Sequence, residues 1–337
     1  MNISAIARQL HRASVVIDLH ADTTIPMKWV RYQVGKRHRP GLPGKFGFFH
    51  CDIPRWREGG YKGQFLGLGT FPYPEKGCTN SCLRQAEMIR EACLRHPEDL
   101  VHVTSAEELR MAARDGRVAI LMGVEGGHNL EADAHNVRRF HEAGVRYIGL
   151  THFSKNRVGP PSGGYGASRE APLTDFGRDL ITEMNRLGMM VDLAHVGRQA
   201  FLQAARFSTK PVIVSHTGIS GARPLWRNLD DEQIRAVAET DGVIGIIFAW
   251  RYICMGRKGD LADLLPHFEH VRRLLGGARH LALGSDFDGA IVPVRGLEDA
   301  SHLPAVTQML LDAKWSEQDI RGVLGENVLR VLKAVTS

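Results

Sequence analysis

Hydrophobic residues in this chain fall into short, nearly continuous runs, and longer amphipathic stretches separate these runs. Runs such as VAILMGVE and VIVSH show no alternation of apolar and polar positions. An unbroken apolar run of this length is typical of a parallel strand that is buried on both faces. The pattern predicts eight strands, at residues 15–22, 63–69, 118–125, 145–152, 189–195, 211–216, 242–248 and 280–288.

Helices with recognisable ends are predicted between most of these strands. One begins at Thr104, which opens the capping-box spacing T-x-x-E, and ends at Gly116. Another begins at Thr174 or Asp175 and ends at Gly188. A β-then-α order repeated along the chain predicts a single (β/α)8 TIM barrel of the α/β class. A doubly wound open sheet is the alternative, which the lack of a G-x-G-x-x-G motif after the first strand disfavours.

Two connections between strands are long and rich in Gly and Pro, at residues 24–62 and 153–173. Both follow the C-terminal end of a strand, which is the face where barrel enzymes build their active sites. Each could be a lid over the site or an ordinary surface loop. The first contains a basic segment, KRHR at residues 36–39, which is interpreted as a solvated loop. In the second, Arg157 and Tyr165 are candidates for contacting the substrate's side chains.

The run VVIDLHADT carries three ionisable residues, Asp18, His20 and Asp22, at a spacing of two. A strand alternates its faces with that period, so the three side chains are expected to point to the same side. Asp18 lies deeper in the strand and is predicted to be structural. Taken singly, a polar residue after an apolar run is usually an ordinary core or turn residue. Here such residues end six of the predicted strands: His20, Asp22, Glu125, His152, His195, His216 and Asp286.

The strand ends of a barrel meet around one axis, so these residues are expected to form one site. Imidazole and carboxylate ligands without Cys suit Zn²⁺ and similar ions in an open, catalytic site. His20 and Asp22 can bind one ion, His195 and His216 a second, and Glu125 can bridge the two. Two such ions, roughly 3.5–4 Å apart, would share a hydroxide that is activated at neutral pH. The pattern therefore predicts hydrolytic chemistry.

Composition narrows the classes of protein further. The net charge of +6 is spread along the 337 residues, with no basic stripe or aromatic platform for nucleic acid. The five cysteines form no C-x-x-C pair, which favours free thiols in a reducing compartment. The first residues lack an apolar secretion signal, and the longest apolar run, VIGIIFAW, is too short to span a bilayer. A cytoplasmic protein without a membrane or nucleic-acid partner is predicted.

Six motifs, in this order, resemble the membrane (renal) dipeptidase family of zinc metallopeptidases, within the amidohydrolase superfamily. The motifs are DLHAD, GVEGG, LTHFSKN, TDFGRDLITEMNRLGMMVDLAHV, VIVSHTG and GSDFDG. The resemblance extends from about residue 15 to residue 335. It implies a (β/α)8 barrel with two zinc ions per subunit. It also implies dipeptide substrates, often with a D-residue at the C-terminal position.

The resemblance implies a role for each site residue. One zinc would be bound by His20, Asp22 and Glu125, and the other by Glu125, His195 and His216. His152 would hydrogen-bond the scissile carbonyl oxygen as it gains negative charge. Asp286 would bind the free amino group or pass a proton to the leaving nitrogen.

The resemblance also implies how the rest of the substrate is bound. Arg227 would pair with the dipeptide's carboxylate, and Arg223, one short turn away, is the alternative. Tyr252 matches a tyrosine at the rim of the family's site.

The predicted function is hydrolysis of dipeptides, including L-Xaa-D-Xaa, by a zinc-dependent dipeptidase with a metal-bridging hydroxide. One alternative keeps the metal site but changes the substrate to a cyclic amide, a lactone or another acylated amine. Another is a non-hydrolytic barrel that only binds metal. The only partners expected are a small dipeptide and a second subunit, since barrels of this kind often form homodimers through their outer helices.

Overall fold

A computed structural model describes residues 2–38, 47–74, 76–256 and 259–337. Within these residues the backbone forms nine strands, all in parallel pairs. They are β1 Ile17–Ala21, β2 Gly63–Leu68, β3 Leu100–His102, β4 Val118–Val124, β5 Val145–Gly149, β6 Met190–Asp192, β7 Ile213–Thr217, β8 Val243–Ile246 and β9 Leu281–Leu283.

The strands close into a barrel because β1 pairs with both β2 and β9. The ring runs through β2, β4, β5, β6, β7, β8 and β9 and contains all the predicted strands. The predicted (β/α)8 TIM barrel is therefore confirmed. The additional strand β3 pairs with the start of β4, outside the ring. It was not predicted because three residues, two of them partly exposed, form no apolar run.

Helices surround the ring. They are α1 Ala5–Ala13, α2 Thr24–Val30, α3 Ile53–Glu58, α4 Cys78–Arg95, α5 Ala106–Arg114, α6 His135–Glu142, α7 Asp175–Leu187, α8 Arg198–Phe207, α9 Asp231–Glu239, α10 Trp250–Ile253, α11 Leu265–Leu275, α12 Pro304–Asp312, α13 Glu317–Arg321 and α14 Asn327–Thr336. Short 3-10 turns occupy Gly127–Leu130, Leu261–Leu264 and Ala300–His302, and a π-helical turn occupies Gly322–Glu326.

The helix ends test the capping predictions. Helix α7 begins after Thr174, whose side chain accepts the Gly177 N–H, and ends at Gly188, whose φ is +71°, as predicted. The N-terminus predicted for α5 lay one residue too early in the chain. Ser105 rather than Thr104 caps that helix, because the Glu108 carboxylate accepts the Thr104 N–H and leaves the Ser105 hydroxyl as the cap.

Two apolar layers hold the barrel together. One is its interior, where Leu19, Phe65 and Tyr147 pack with residues of the last helix, such as Leu329. The other lies between the strands and the surrounding helices. Because the interior is filled with side chains, any ligand site must lie at the strand ends.

Several strands end earlier than their apolar runs. Register shifts occur in β1 between Asp18 and Ala21 and in the pairing of β7 with β8. His152, His195 and Asp286 lie on the loops that follow β5, β6 and β9, not within those strands as predicted. The φ angles of His195 and Asp286 are +66° and +63°. A backbone in this left-handed region cannot continue a strand, so the strand must stop before these residues.

The five cysteines are buried and unpaired, as predicted. Across the residues that the structure describes, no helix is both long and apolar enough to cross a membrane.

Candidate metal centre in the barrel mouth

A cavity of about 440 Å³ opens at the C-terminal ends of the strands. All the predicted site residues except His20 lie in its wall, and His20 lies behind the wall, fully buried. The structure therefore brings together every residue of the predicted site: His20, Asp22, Glu125, His152, His195, His216, Arg227, Tyr252 and Asp286.

Glu125 occupies the centre of the cluster. It directly follows β4, and its N–H donates to the Leu68 carbonyl of β2 at 2.9 Å, which fixes its position between two strands. Its Oε1 atom lies 3.6 Å from His20 Nε2, 3.4 Å from His195 Nε2 and 3.7 Å from His216 Nε2. One carboxylate oxygen thus faces three imidazoles, while the other, Oε2, faces His152; the bridging role stays a prediction.

The remaining contacts divide the cluster into two halves. In one, His20 Nε2 lies 3.5 Å from Asp22 Oδ1, and among the described residues it has no hydrogen-bond partner although it is buried. In the other, the Nε2 atoms of His195 and His216 are 2.9 Å apart. A buried imidazole nitrogen without a partner, close to two others that face each other, fits a cation between them. Nitrogen and oxygen donors without sulfur favour a divalent ion of the zinc type.

A serine and an aspartate orient His216. The Ser215 hydroxyl donates to Asp192 Oδ2 at 2.7 Å, so its oxygen is left to accept the Nδ1–H of His216 at 3.0 Å. The proton of His216 is thereby held on Nδ1, and its Nε2 keeps a lone pair directed at the cluster. Contacts of this kind fix the ring orientation of a metal-binding histidine.

Asp18 makes the same double contact with Ser285. Its two carboxylate oxygens accept the Ser285 N–H at 2.8 Å and the Ser285 hydroxyl at 2.6 Å. The adjacent Asp286 N–H donates to the His20 carbonyl at 3.0 Å. Asp18 is structural, as predicted. The expectation that it points the same way as His20 and Asp22 is wrong, because the register shift in β1 breaks the alternation of faces.

The electrostatics of the cluster favour a bound cation. Burial raises the pKa of Glu125 well above its usual range, and the nearby Asp22 adds to this effect. Burial acts to lower the pKa of His20, but Asp22, Glu125 and Asp286 outweigh it and raise that pKa to about 10. Buried close together, these carboxylates cannot all be ionised without a compensating positive charge, which a bound cation would supply.

Arg227 lies in the cavity wall with only 3% of its surface exposed. Its Nη2 donates to the His216 carbonyl at 2.8 Å. Burial lowers its pKa, and among the described residues no carboxylate forms an ion pair with it. Burying a guanidinium without a neighbouring anion has a high desolvation free energy, so this position suits an anionic group of a ligand. Arg223, the predicted alternative, does not line the cavity.

The two long connections contribute unequally. Residues 24–62 supply Ile25, Lys28, Trp29 and Phe48 to the wall, whereas residues 153–173 supply only Phe153. Arg157 and Tyr165 do not line the cavity, so their predicted role as contacts for substrate side chains is not supported. In the basic segment, Arg37 forms a bidentate pair with Glu58, and Arg39 lies outside the described residues.

The sequence did not predict the residues that form hydrogen bonds with the histidines of the site and orient them. Tyr147 contacts His20 Nδ1 at 2.7 Å, Tyr73 contacts His152, and Ser215 and Asp192 orient His216. Only Asp192 had a signal in the sequence, as a charged residue inside the apolar run MMVDLAH. The hydroxyl residues have none, since serine and tyrosine are common in buried strands and loops.

The fold and the site can be compared with those of known proteins. The sequence model of the membrane dipeptidase family, peptidase family M19, matches residues 4–337. The crystal structure of dipeptidase AC, a metallo peptidase of family M19, shares 26% identity and a TM-score of 0.83, over 96% of this chain and 99% of that one.

Two further structures show the same fold. A metallo peptidase from Rhodobacter sphaeroides, liganded with a phosphinate mimic of the dipeptide L-Ala-D-Ala, has 24% identity and a TM-score of 0.83, over 96% of this chain and 99% of that one. The probable dipeptidase PvdM from Pseudomonas aeruginosa has 18% identity and a TM-score of 0.87, over 98% of both chains.

Proposed function

This chain belongs to the membrane dipeptidase family, peptidase family M19, and from this we propose a zinc-dependent dipeptidase that binds two metal ions and accepts L-Xaa-D-Xaa substrates. The family makes the chain a metallo-dipeptidase, a hydrolase of peptide bonds. One observation carries the more specific proposal. A cluster that could hold cations and the guanidinium of Arg227, which forms no ion pair with a described residue, share a single cavity.

The metal ions are assigned to the two halves of the cluster. His20 and Asp22, with Glu125, would hold one ion, and His195 and His216, with Glu125, would hold the other. When bound, such ions supply an activated water and polarise the carbonyl that is attacked. Zinc is favoured because the donors are imidazole and carboxylate.

The other residues bind the two ends of a free dipeptide. Arg227 would pair with the C-terminal carboxylate, since its charge has no partner within the described chain. Asp286 lies in the wall beside the cluster, with Oδ1 3.9 Å from His20 Nε2. It would bind the ammonium group or pass a proton to the leaving nitrogen. Opposite charges for opposite termini favour a free dipeptide over a longer or blocked peptide.

His152 would donate a hydrogen bond to the scissile carbonyl oxygen. Its Nε2 lies 3.7 Å from Glu125 Oε2, at the edge of the cluster where that carbonyl must lie. Burial lowers the pKa of His152 to about 3, so the ring is neutral and can donate from only one nitrogen. A donor fixed in place before the reaction stabilises developing negative charge at little reorganisation cost.

Tolerance for a D-residue is supported by the Rhodobacter sphaeroides peptidase, which binds a mimic of L-Ala-D-Ala. The cavity volume of about 440 Å³ is in the range of small-ligand sites. Its wall carries apolar side chains beside the charged ones, so part of a substrate side chain can be buried there.

The test is amine release from a panel of dipeptides by zinc-loaded protein. L-Ala-L-Ala and L-Ala-D-Ala are compared with their N-acetylated and C-amidated forms and with trialanine, each with and without a chelator. Cleavage of the free dipeptides alone, abolished by the chelator, is expected. A lactone and a cyclic amide are tested in parallel, and their cleavage with no dipeptide cleaved would reject the proposal in favour of another amidohydrolase activity.

A further inference from the structure

Tyr73 lies on the loop after β2, beside the proposed hydrogen-bond donor His152. Its hydroxyl is 2.5 Å from His152 Nδ1 and 3.2 Å from the backbone nitrogen of Phe153. The Phe153 N–H can only donate, so the hydroxyl oxygen accepts there. In the described part of the chain, the hydroxyl proton then has no acceptor other than His152 Nδ1.

Because Nδ1 of His152 accepts the hydroxyl proton of Tyr73, the ring proton of His152 lies on Nε2. Nδ1 must be unprotonated to accept from Tyr73, and an Nε2–H is favourably placed 3.7 Å from Glu125 Oε2. His216 shows the opposite arrangement, since the Ser215 proton is committed to Asp192 and His216 keeps its proton on Nδ1. Neighbouring hydroxyls thus hold these two histidines in different tautomers.

We propose that Tyr73 is a positioning residue that holds His152 in the Nε2–H tautomer, so that His152 donates to the substrate and does not bind metal. The proposal rests on the proposed role of His152 in the dipeptidase reaction. It also explains why His152 would not bind a metal ion although other histidines of the cluster would. His152 lies with Glu125 and His195 in a group whose ligand atoms are close enough to hold an ion, yet a protonated Nε2 has no lone pair for one.

Tyr73 is itself held in place. Its ring stacks on His128 with centroids 3.9 Å apart and an angle of 5° between the planes. His128 is anchored in turn by its Nε2, 2.9 Å from the Ser154 carbonyl. The stacking and the hydrogen bond from Phe153 N–H fix the direction of the hydroxyl, so the tautomer is set before the substrate arrives.

The variant Tyr73→Phe removes the hydroxyl and keeps the stacked ring. We expect kcat to fall about 10- to 100-fold with KM changed less than about threefold, because the lost interaction acts in the transition state. Affinity for a phosphinate dipeptide mimic should fall in parallel with kcat/KM, and the zinc content should stay unchanged. Tyr32→Phe is the matched control, since it removes a buried hydroxyl that donates to the Cys51 carbonyl outside the cavity.

A double-mutant cycle separates positioning from general damage. In a His152→Ala background, Tyr73→Phe should have no further effect on kcat, because the residue through which it acts is gone. Losses that multiply, or a loss of zinc in Tyr73→Phe alone, would overturn the proposal.

A second readout is independent of substrate. In ¹⁵N spectra of zinc-loaded protein, the His152 signals are those missing from His152→Gln. Nδ1 should be unprotonated in the wild type, and both tautomers should be populated in Tyr73→Phe. A protonated Nδ1 in the wild type would overturn the proposal whatever the enzyme cleaves. The expected tautomer in a protein that cleaves no dipeptide would uphold the Tyr73–His152 assignment and reject the dipeptidase function instead.

Discussion

Gly67 and Gly123 pair directly across β2 and β4, and the space that their missing side chains leave is filled by the site. A Cβ atom on Gly67 would overlap Asp22 Oδ1 and approach His20 Cε1 to 3.0 Å. A Cβ atom on Gly123 would overlap the ring of Tyr147, whose hydroxyl contacts His20. Both glycines thus leave space on which the position of His20 depends, Gly67 directly and Gly123 through Tyr147.

We predict that Gly67→Ala displaces Asp22 and His20 while leaving the fold intact, because the added Cβ meets only the ends of these side chains. Metal content and kcat/KM should fall, the latter by about 10- to 100-fold, as expected when a ligand is misplaced. Metal analysis and kinetics check this. Gly277→Ala is the control, since a Cβ there meets no atom within 4 Å. Unchanged zinc in Gly67→Ala would contradict the assignment of Asp22 as a ligand.

Removing a ligand from either half of the cluster should abolish turnover. His216→Ala and Asp22→Ala are each expected to lower kcat/KM by about a thousandfold or more, and to reduce bound zinc from two ions towards one per chain. The exposed His135 provides the control His135→Ala, which should retain both properties. Full activity in either ligand variant would disprove the metal assignment.

Arg227→Met should raise KM for dipeptides about 100-fold, because it removes a buried partner of the substrate carboxylate. The same variant should scarcely affect C-amidated substrates, which lack that charge and are poor for the wild type. Arg223→Met tests the alternative anchor and should change KM little, since Arg223 does not line the cavity. A larger effect at Arg223 than at Arg227 would reverse the assignment.

His267 should make stability depend on pH. Its Nδ1 accepts the Ile219 N–H and its Nε2 donates to the Ile253 carbonyl, so the fold holds it neutral, and burial lowers its pKa to about 4. The folded pKa lies below the unfolded value of 6.5, so the unfolded state binds more protons between these values. The contribution is complete above pH 6.5 and is lost as the pH falls towards 4.

The size of this effect is about 3 kcal/mol between pH 7 and pH 4. Urea unfolding of the metal-free wild type and of His267→Gln across this range measures it, because the difference between the two curves cancels other titrating groups. The stability advantage of the wild type should shrink as the pH falls. Parallel curves would show that His267 does not titrate as described.

The strands could be predicted from the sequence because parallel strands in a barrel are buried on both faces, which leaves an unbroken apolar run. The residues at which these strands end could not be predicted. The runs continue through Leu193 and Ala194 to His195, but the backbone leaves the ladder at Asp192, since Ala194 N–H bonds to the Asp192 side chain. Apolar residues beyond a strand look the same in sequence as those within it.

The ionisable residues of the candidate site could be predicted from the sequence. His20, Glu125 and His216 stand out because an ionisable side chain at the end of a buried apolar run is unfavourable unless it has a partner or a function. The orientation of Asp18 could not be predicted, because one register shift reverses the faces of a strand. The contact between Tyr73 and His152 joins two separate loops, so no local pattern in the sequence indicates it.

The contact between Asp18 and Ser285 joins residues 267 positions apart, at the seam where β1 meets β9. A ribosome makes the first strand early and the last strand near the end of synthesis. In a nascent chain the Asp18 carboxylate therefore lacks its partner Ser285 until residue 285 has emerged. Until then both edge strands of the growing sheet also lack a neighbouring strand. Asp286 follows immediately, so the site is completed in the same event that closes the ring. A product that stops before residue 281 lacks β9, so it cannot close the ring that holds the cluster together.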